Sequence, residues 1–154
     1  MTRSRDRAAA LAVAVVVTLA ACGSDAPPTR ADFRKQVNAE CRATRQVVAR
    51  MGPAPGATPE AMIRSGRRAL VRQRAAIRTI AAIPQPPDER PRVARWLVLV
   101  RRALDTVGAS LDAQARVDLT AADRANSAGT TLVQRADLEA RALGLDDCVT
   151  AAAG

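Results

Sequence analysis

Two clusters of proline divide this chain into lengths that suit helices. One is Gly52-Pro53 with Pro55 and Pro59; the other is Pro84, Pro86 and Pro87. Proline lacks a backbone donor and crowds the preceding helical turn, so no helix runs through either cluster. On both sides of the breaks apolar residues return at three and four positions, the spacing of a single helical face. Over residues 30–51 that face is Phe33, Val37, Cys41, Thr44, Val47, Val48 and Met51. A second helix opens with Thr58 as N-cap, Pro59 at the first helical position and Glu60 in the first turn. Its inward stripe is Met62, Ile63, Ala69, Leu70, Ala76, Ile77, Ile80 and Ile83. A third starts near Asp88 and carries Val93, Trp96, Leu97, Val100, Leu104, Val107 and Leu111 on one arc. Pro91 is tolerated there because a first turn needs no internal donor.

The fourth helix begins at Asp118 and has a small inner face: Ala122, Ala125, Gly129, Leu132, Val133, Ala136, Ala140 and Leu143. Small side chains let backbones approach, so this helix is expected to pack tightly, and Gly144 is the expected stop. One Phe, one Trp and no Tyr argue against sheets, which draw on aromatic residues. Short loops between long amphipathic helices predict an all-α, antiparallel up-down-up-down four-helix bundle over residues 32–148. In that arrangement the start of the first helix lies beside the end of the fourth.

The N-terminus reads differently. Arg3, Arg5 and Arg7 precede fourteen residues, Ala8 to Ala21, in which Thr18 is the only polar one. A bilayer span needs about 20 apolar residues, whereas the core of an export signal needs about 7–15. The run ends in Leu19-Ala20-Ala21-Cys22, which resembles the lipobox of bacterial lipoproteins: an aliphatic residue, two small ones, then the cysteine that becomes the mature N-terminus. The resemblance covers residues 1–22. It implies a signal peptide over 1–21, a diacylglyceryl thioether on Cys22 and a cell-membrane anchor facing out of the cytoplasm. Two acyl chains matter, because one myristoyl-sized chain binds only marginally. An ordinary secretory signal or an uncleaved anchor with a chance cysteine are the other readings. Residues 22–31, with Pro27-Pro28, form a short tether, and residues 149–154, ending in Ala151 to Ala153, a disordered tail.

Three cysteines are odd for an exported protein until Cys22 is set aside for lipid. Cys41 and Cys148 remain, 107 positions apart, without C-x-x-C spacing. In an oxidising compartment they read as one structural disulfide, worth about 4.7 kcal/mol by loop entropy. A redox-active or metal-binding pair lacks the further ligands such a site needs. The segments Phe33-Arg34-Lys35-Gln36-Val37-Asn38-Ala39-Glu40-Cys41 and Leu143-Gly144-Leu145-Asp146-Asp147-Cys148, framing a helical middle, are similar to small lipoproteins of high-GC Gram-positive bacteria. That likeness implies the bundle and the bridge, and carries no catalytic residues.

Function is harder to read. The absence of His removes the commonest general base and zinc ligand. No Ser-His-Asp set, phosphate loop, paired catalytic carboxylates or metal-ligand cluster can be assembled, so no catalytic residue, metal or cofactor is assigned. The informative pattern is Arg64, Arg67, Arg68, Arg72, Arg74 and Arg78, which project within an arc of about 160° on the second helix. Residues 30–83 hold twelve basic and three acidic groups; residues 84–154 hold nine and ten. Such a face suits an anionic lipid, a phosphate-bearing wall polymer or an acidic protein. Its bland counterpart is a solvated face in an Arg-biased composition, partly neutralised by Asp105, Asp112 or Asp137 from neighbouring helices. Nucleic acid is not expected, since export and the want of aromatics for stacking oppose it.

Trp96 reads as core more than as a ligand anchor, and Val98 with Leu99 extends the apolar surface of the third helix around its circumference, as in a buried helix covered on both sides; the alternative is a partner-binding patch. Asn38, Glu40 and Asn126 are candidates to point inward, and Asp146-Asp147 reads as surface. The expectation is a lipid-anchored, non-enzymatic envelope binding or interaction module. The alternatives are an accessory enzyme using a carboxylate such as Glu40 in the bundle interior, or a purely structural surface lipoprotein.

Overall fold

A computed structural model describes residues 27–150. The signal peptide expected over 1–21, Cys22, most of the tether and residues 151–154 lie outside the described residues. Four helices follow in order: α1 (Arg30–Arg50), α2 (Pro59–Ala82), α3 (Arg90–Ala115) and α4 (Leu119–Leu143), with a closing 3-10 turn at Asp146–Cys148. They form an antiparallel four-helix bundle with a Cys41–Cys148 disulfide.

Local chemistry sets the boundaries. Thr29, Thr58 and Asp118 each accept a hydrogen bond from the backbone N–H three residues on, at 3.1, 3.3 and 3.0 Å. These caps satisfy donors that a first turn leaves orphaned. Because Thr29 caps α1, Arg30 and Ala31 belong to the helix and not to the tether. At the other end, Val149 packs against the core and Thr150 bonds Asp137, so neither belongs to a loose tail. Helix α3 begins at Arg90, two residues beyond Asp88, after a turn in which Glu89 and Arg90 both donate to Pro86 O.

Two helices end alike. After α4, Leu145 N–H donates to Ala140 O and Gly144 N–H to Arg141 O, with Gly144 at φ 71°. After α3, Asp118 N–H donates to Ala113 O and Val117 N–H to Gln114 O, and Val117 sits at φ 59°. Both are six-residue end motifs whose turning residue is left-handed, a place that normally takes glycine. Val117 is β-branched and 79% exposed, so its backbone is strained.

The core joins Phe33 and Val37 of α1, Leu70, Ile77 and Ile80 of α2, Val93, Trp96, Leu97 and Leu104 of α3, and Ala136, Ala140 and Leu143 of α4, capped by Leu145. Trp96 is buried as expected; removing a side chain of that size costs about 3–5 kcal/mol. Several expected core positions are only half-buried, and two are exposed. Met62 is 48% exposed because it lies in the first turn of α2, beyond the reach of α1, and Val107 is 41% exposed. Val98 is also exposed, so α3 is covered by α2 and α4 but open on its third side.

Packing is uneven. Helix α4 lies close against α3, and at Gly129 an added Cβ would fall 2.7 Å from Thr106 Oγ1, which is the tight approach its small face predicts. Helix α1 packs on α2 and on the C-terminal turn, but is not packed along the length of α4. The bundle is therefore shut at one end of the α1–α4 seam and open along the rest.

Candidate functional site

The shut end is built around Asn38. Its Nδ2 donates to Gly144 O and its Oδ1 accepts from Asp147 N–H, both at 3.1 Å. Three residues on, one further along the same side of α1, Cys41 meets Cys148 at a Cα separation of 5.1 Å. Arg42 pairs with Asp147 at 3.0 Å, and Arg45 donates to the main-chain oxygens of Asp147 and Val149. Asn38 thus points inward, as the sequence suggested, and serves the chain end. Asp146 is exposed, while Asp147 is half-buried in this cluster.

Beyond the bridge the unpacked seam leaves a cleft of about 400 Å³. Its walls are Val48 of α1, Ile77 and Ile80 of α2, Trp96, Val100 and Val107 of α3, and Val133 and Ala136 of α4. Polar residues, Thr44, Arg45, Asp137, Asp147 and Thr150, gather toward the disulfide, with Gln73 on α2. Asp137 accepts from the N–H of Thr150 at 3.1 Å and from its hydroxyl. Among the described residues no fully buried side-chain polar atom lacks a partner. A shallower groove of about 790 Å³ between α3 and α4 continues from it through Ala103, Val107, Val133, Asp137 and Thr150.

The six arginines of α2 separate by angle. Those on the flanks find carboxylates: Arg67 meets Asp112 at 2.8 Å and Arg74 meets Asp105 at 2.9 Å on α3, and Arg72 meets Glu40 at 3.1 Å on α1. The central three, Arg64, Arg68 and Arg78, have no carboxylate within 4.0 Å among the described residues, and Val71 lies between them, 68% exposed. Asp137 takes no part in neutralising the stripe. Near the start of α2, the backbone and Thr58 hydrogen bonds hold the Glu60 carboxyl below its ordinary range, with Arg64 adding to the effect.

Glu40 is half-buried and tied to Arg72 and to Thr44 Oγ1 at 3.2 Å, outside the walls of the cleft. Asn126 is exposed, contrary to an inward placement, because its position on α4 faces the shallow outer groove. Another charged cluster, unremarked in the sequence, joins the starts of α1 and α3. Glu89, 8% exposed, lies 3.2 Å from Arg30 and 3.8 Å from Arg34, and Arg30 also bonds Asp88. That hydrogen bond holds the Asp88 carboxyl below its usual range.

The cleft itself had no motif. Its one signal is the run of small residues on α4, which predicts close packing on one side and leaves unfilled volume on the other. Among the described residues no helix is long and apolar enough to cross a membrane. Fold and cleft together define the molecule's class: a disulfide-closed helical bundle with an open apolar seam. No family model, no curated protein and no solved structure matches the chain.

Proposed function

We propose that the protein is a lipid-anchored lipoprotein of the outer face of the cell membrane, held by diacylglyceryl-modified Cys22, and that it is a non-enzymatic binding module. The ligand is an amphiphile whose hydrocarbon chain enters the α1–α4 cleft. The supporting observation is the cleft: about 400 Å³, inside the range of small-molecule sites, apolar along its walls and polar toward the disulfide. Glu40, the carboxylate an enzyme reading would use, is not among the residues that line it and is engaged by Arg72 and Thr44.

The sole tryptophan lines the cleft and reports on it directly. Titration with a long-chain fatty acid brominated on its chain should quench Trp96 fluorescence, and the unbrominated acid should not. Val133→Phe, which fills the cleft at a half-buried position, should abolish the quenching. Equal intensities with the two acids would remove the proposal.

A second reading keeps the unpaired centre of the α2 stripe, Arg64, Arg68 and Arg78, as a docking line for an anionic envelope component. It is favoured by three like charges on one line of α2, none with a carboxylate within 4.0 Å among the described residues.

A further inference from the structure

The α3–α4 hairpin carries a second basic surface that linear charge counting hides, since its arginines share sequence with nearly equal numbers of acids. At its centre Val98 is 46% and Leu138 64% exposed, beside Ala94, Ala142 and half-buried Leu99. These residues floor a shallow groove of about 670 Å³ bordered by Arg92, Arg95, Arg102 and Arg135. Glu139 is the single acid of the groove, 3.7 Å from Arg92 Nε and 3.6 Å from Arg95 Nε. Arg102 and Arg135 have no carboxylate within 4.0 Å among the described residues. The patch is therefore apolar in the middle and cationic around it. That is the composition of surfaces that lie in the headgroup region of an anionic membrane.

The point where the chain enters the bundle adds an independent argument. Arg30, the first residue of α1, bonds Asp88, and the depression they line also contains Arg92, Arg95 and Ala142, which belong to the groove. The segment from Cys22 thus joins the fold at the edge of this face. Fully extended, it reaches no more than roughly 30 Å from the lipidated sulfur to α1, at about 3.5 Å per residue.

We infer that the α3–α4 face lies on an anionic bilayer: lipid phosphates pair with Arg92, Arg95, Arg102 and Arg135 while Val98 and Leu138 enter the boundary between headgroups and acyl chains. Arginine's planar fork suits phosphate, and its weak hydration suits a partly dehydrated surface. The position beside the anchor rests on lipidation of Cys22; the affinity of the face does not.

The test uses the chain from residue 22 onward with Cys22→Ser and the Cys41–Cys148 bond formed, so that neither an acyl chain nor the basic, apolar segment of residues 3–21 contributes. Sedimentation with phosphatidylglycerol/phosphatidylcholine vesicles is compared with pure phosphatidylcholine. Binding should require the anionic lipid and fall as salt is raised. Arg102→Gln with Arg135→Gln, both exposed and unpaired, should weaken it at least tenfold, from roughly fivefold per arginine at about 1 kcal/mol each. Lys35→Gln with Arg50→Gln, both exposed on α1 and outside the groove, should leave it unchanged. In a Leu138→Trp variant, anionic lipids brominated on the chain should quench the added fluorescence. Equal binding to neutral vesicles, no binding to anionic ones, or an equal loss in the α1 variant would overturn the inference. An unmodified Cys22 in the intact mass of the native protein would count against the anchor and leave the face untouched.

Discussion

Asn38 and Gly144, 106 positions apart, are joined by a 3.1 Å hydrogen bond from the amide of one to the carbonyl of the other, and the same side chain accepts the N–H of Asp147. One short polar residue thereby satisfies both the end of α4 and the start of the closing turn. Asn38→Ala orphans two half-buried backbone groups and should cost about 1–3 kcal/mol. Urea denaturation of the oxidised protein measures it, and Asn38→Asp, which keeps one acceptor, should lose less.

The glycines of the helices are predicted to part company. Gly129→Ala pushes against Thr106 Oγ1, which is itself held by a 2.7 Å bond to Ala103 O, and should cost about 1–3 kcal/mol. At Gly108 the nearest atom to an added Cβ is 3.4 Å away, so Gly108→Ala should gain up to about 1 kcal/mol of helix propensity. Gly66→Ala meets only the tip of Leu111 at 2.9 Å and should fall between them. Thermal melts rank the three.

Val117 holds a left-handed turn that disfavours its branched side chain by about 1–2 kcal/mol. Val117→Asn should raise the melting temperature, since asparagine tolerates that conformation and the position is exposed. A fall in melting temperature would mean that the valine makes contacts worth more than the strain.

Acid should weaken the junction of α1 and α3. The Asp88 carboxyl is held below its ordinary range, chiefly by its hydrogen bond from Arg30. A depressed carboxylate contributes stability that is whole above the unfolded value, near pH 4, and that disappears as pH falls through the folded one. Melting temperatures of Asp88→Asn and wild type should converge on acidification below about pH 4, the wild type being higher at neutral pH. A constant difference across the range would show that the pairing does not set it.

Arginines of α2 should differ by pairing state. On a phosphate-rich cation-exchange resin, Arg64→Gln, Arg68→Gln and Arg78→Gln together should shorten retention more than Arg67→Gln, Arg72→Gln and Arg74→Gln together, because the latter set already spends its charge on Asp112, Glu40 and Asp105. Elution at the same salt for both sets would discard a docking role for the centre of the stripe.

Much of the architecture was legible because it follows from local rules. Pro53 and Pro84 stop helices, Thr58 and Asp118 start them, and Gly144 turns the chain, each through its own backbone chemistry. The Cys41–Cys148 pairing followed from counting, and the core positions of Trp96 and Leu104 from helical spacing. What was not legible depends on which neighbour a face receives. Val98 and Met62 are apolar on helices, yet nothing in their spacing tells that the third side of α3 is bare or that α1 ends short of α2's first turn. The cleft is of the same kind, since an empty volume is made by residues from four helices and marked by none. Likewise Arg67 and Arg74 look like Arg64 and Arg68 until α3 places Asp112 and Asp105 beside the first pair alone.

The sulfur bridge ties the turn after α4 to Cys41, midway along α1, so from there to Arg50 that helix leans on α2 and not on α4. Any parting of α1 from α4 would then be smallest beside Cys41 and grow toward Arg50, with the polar knot at Asn38 left undisturbed.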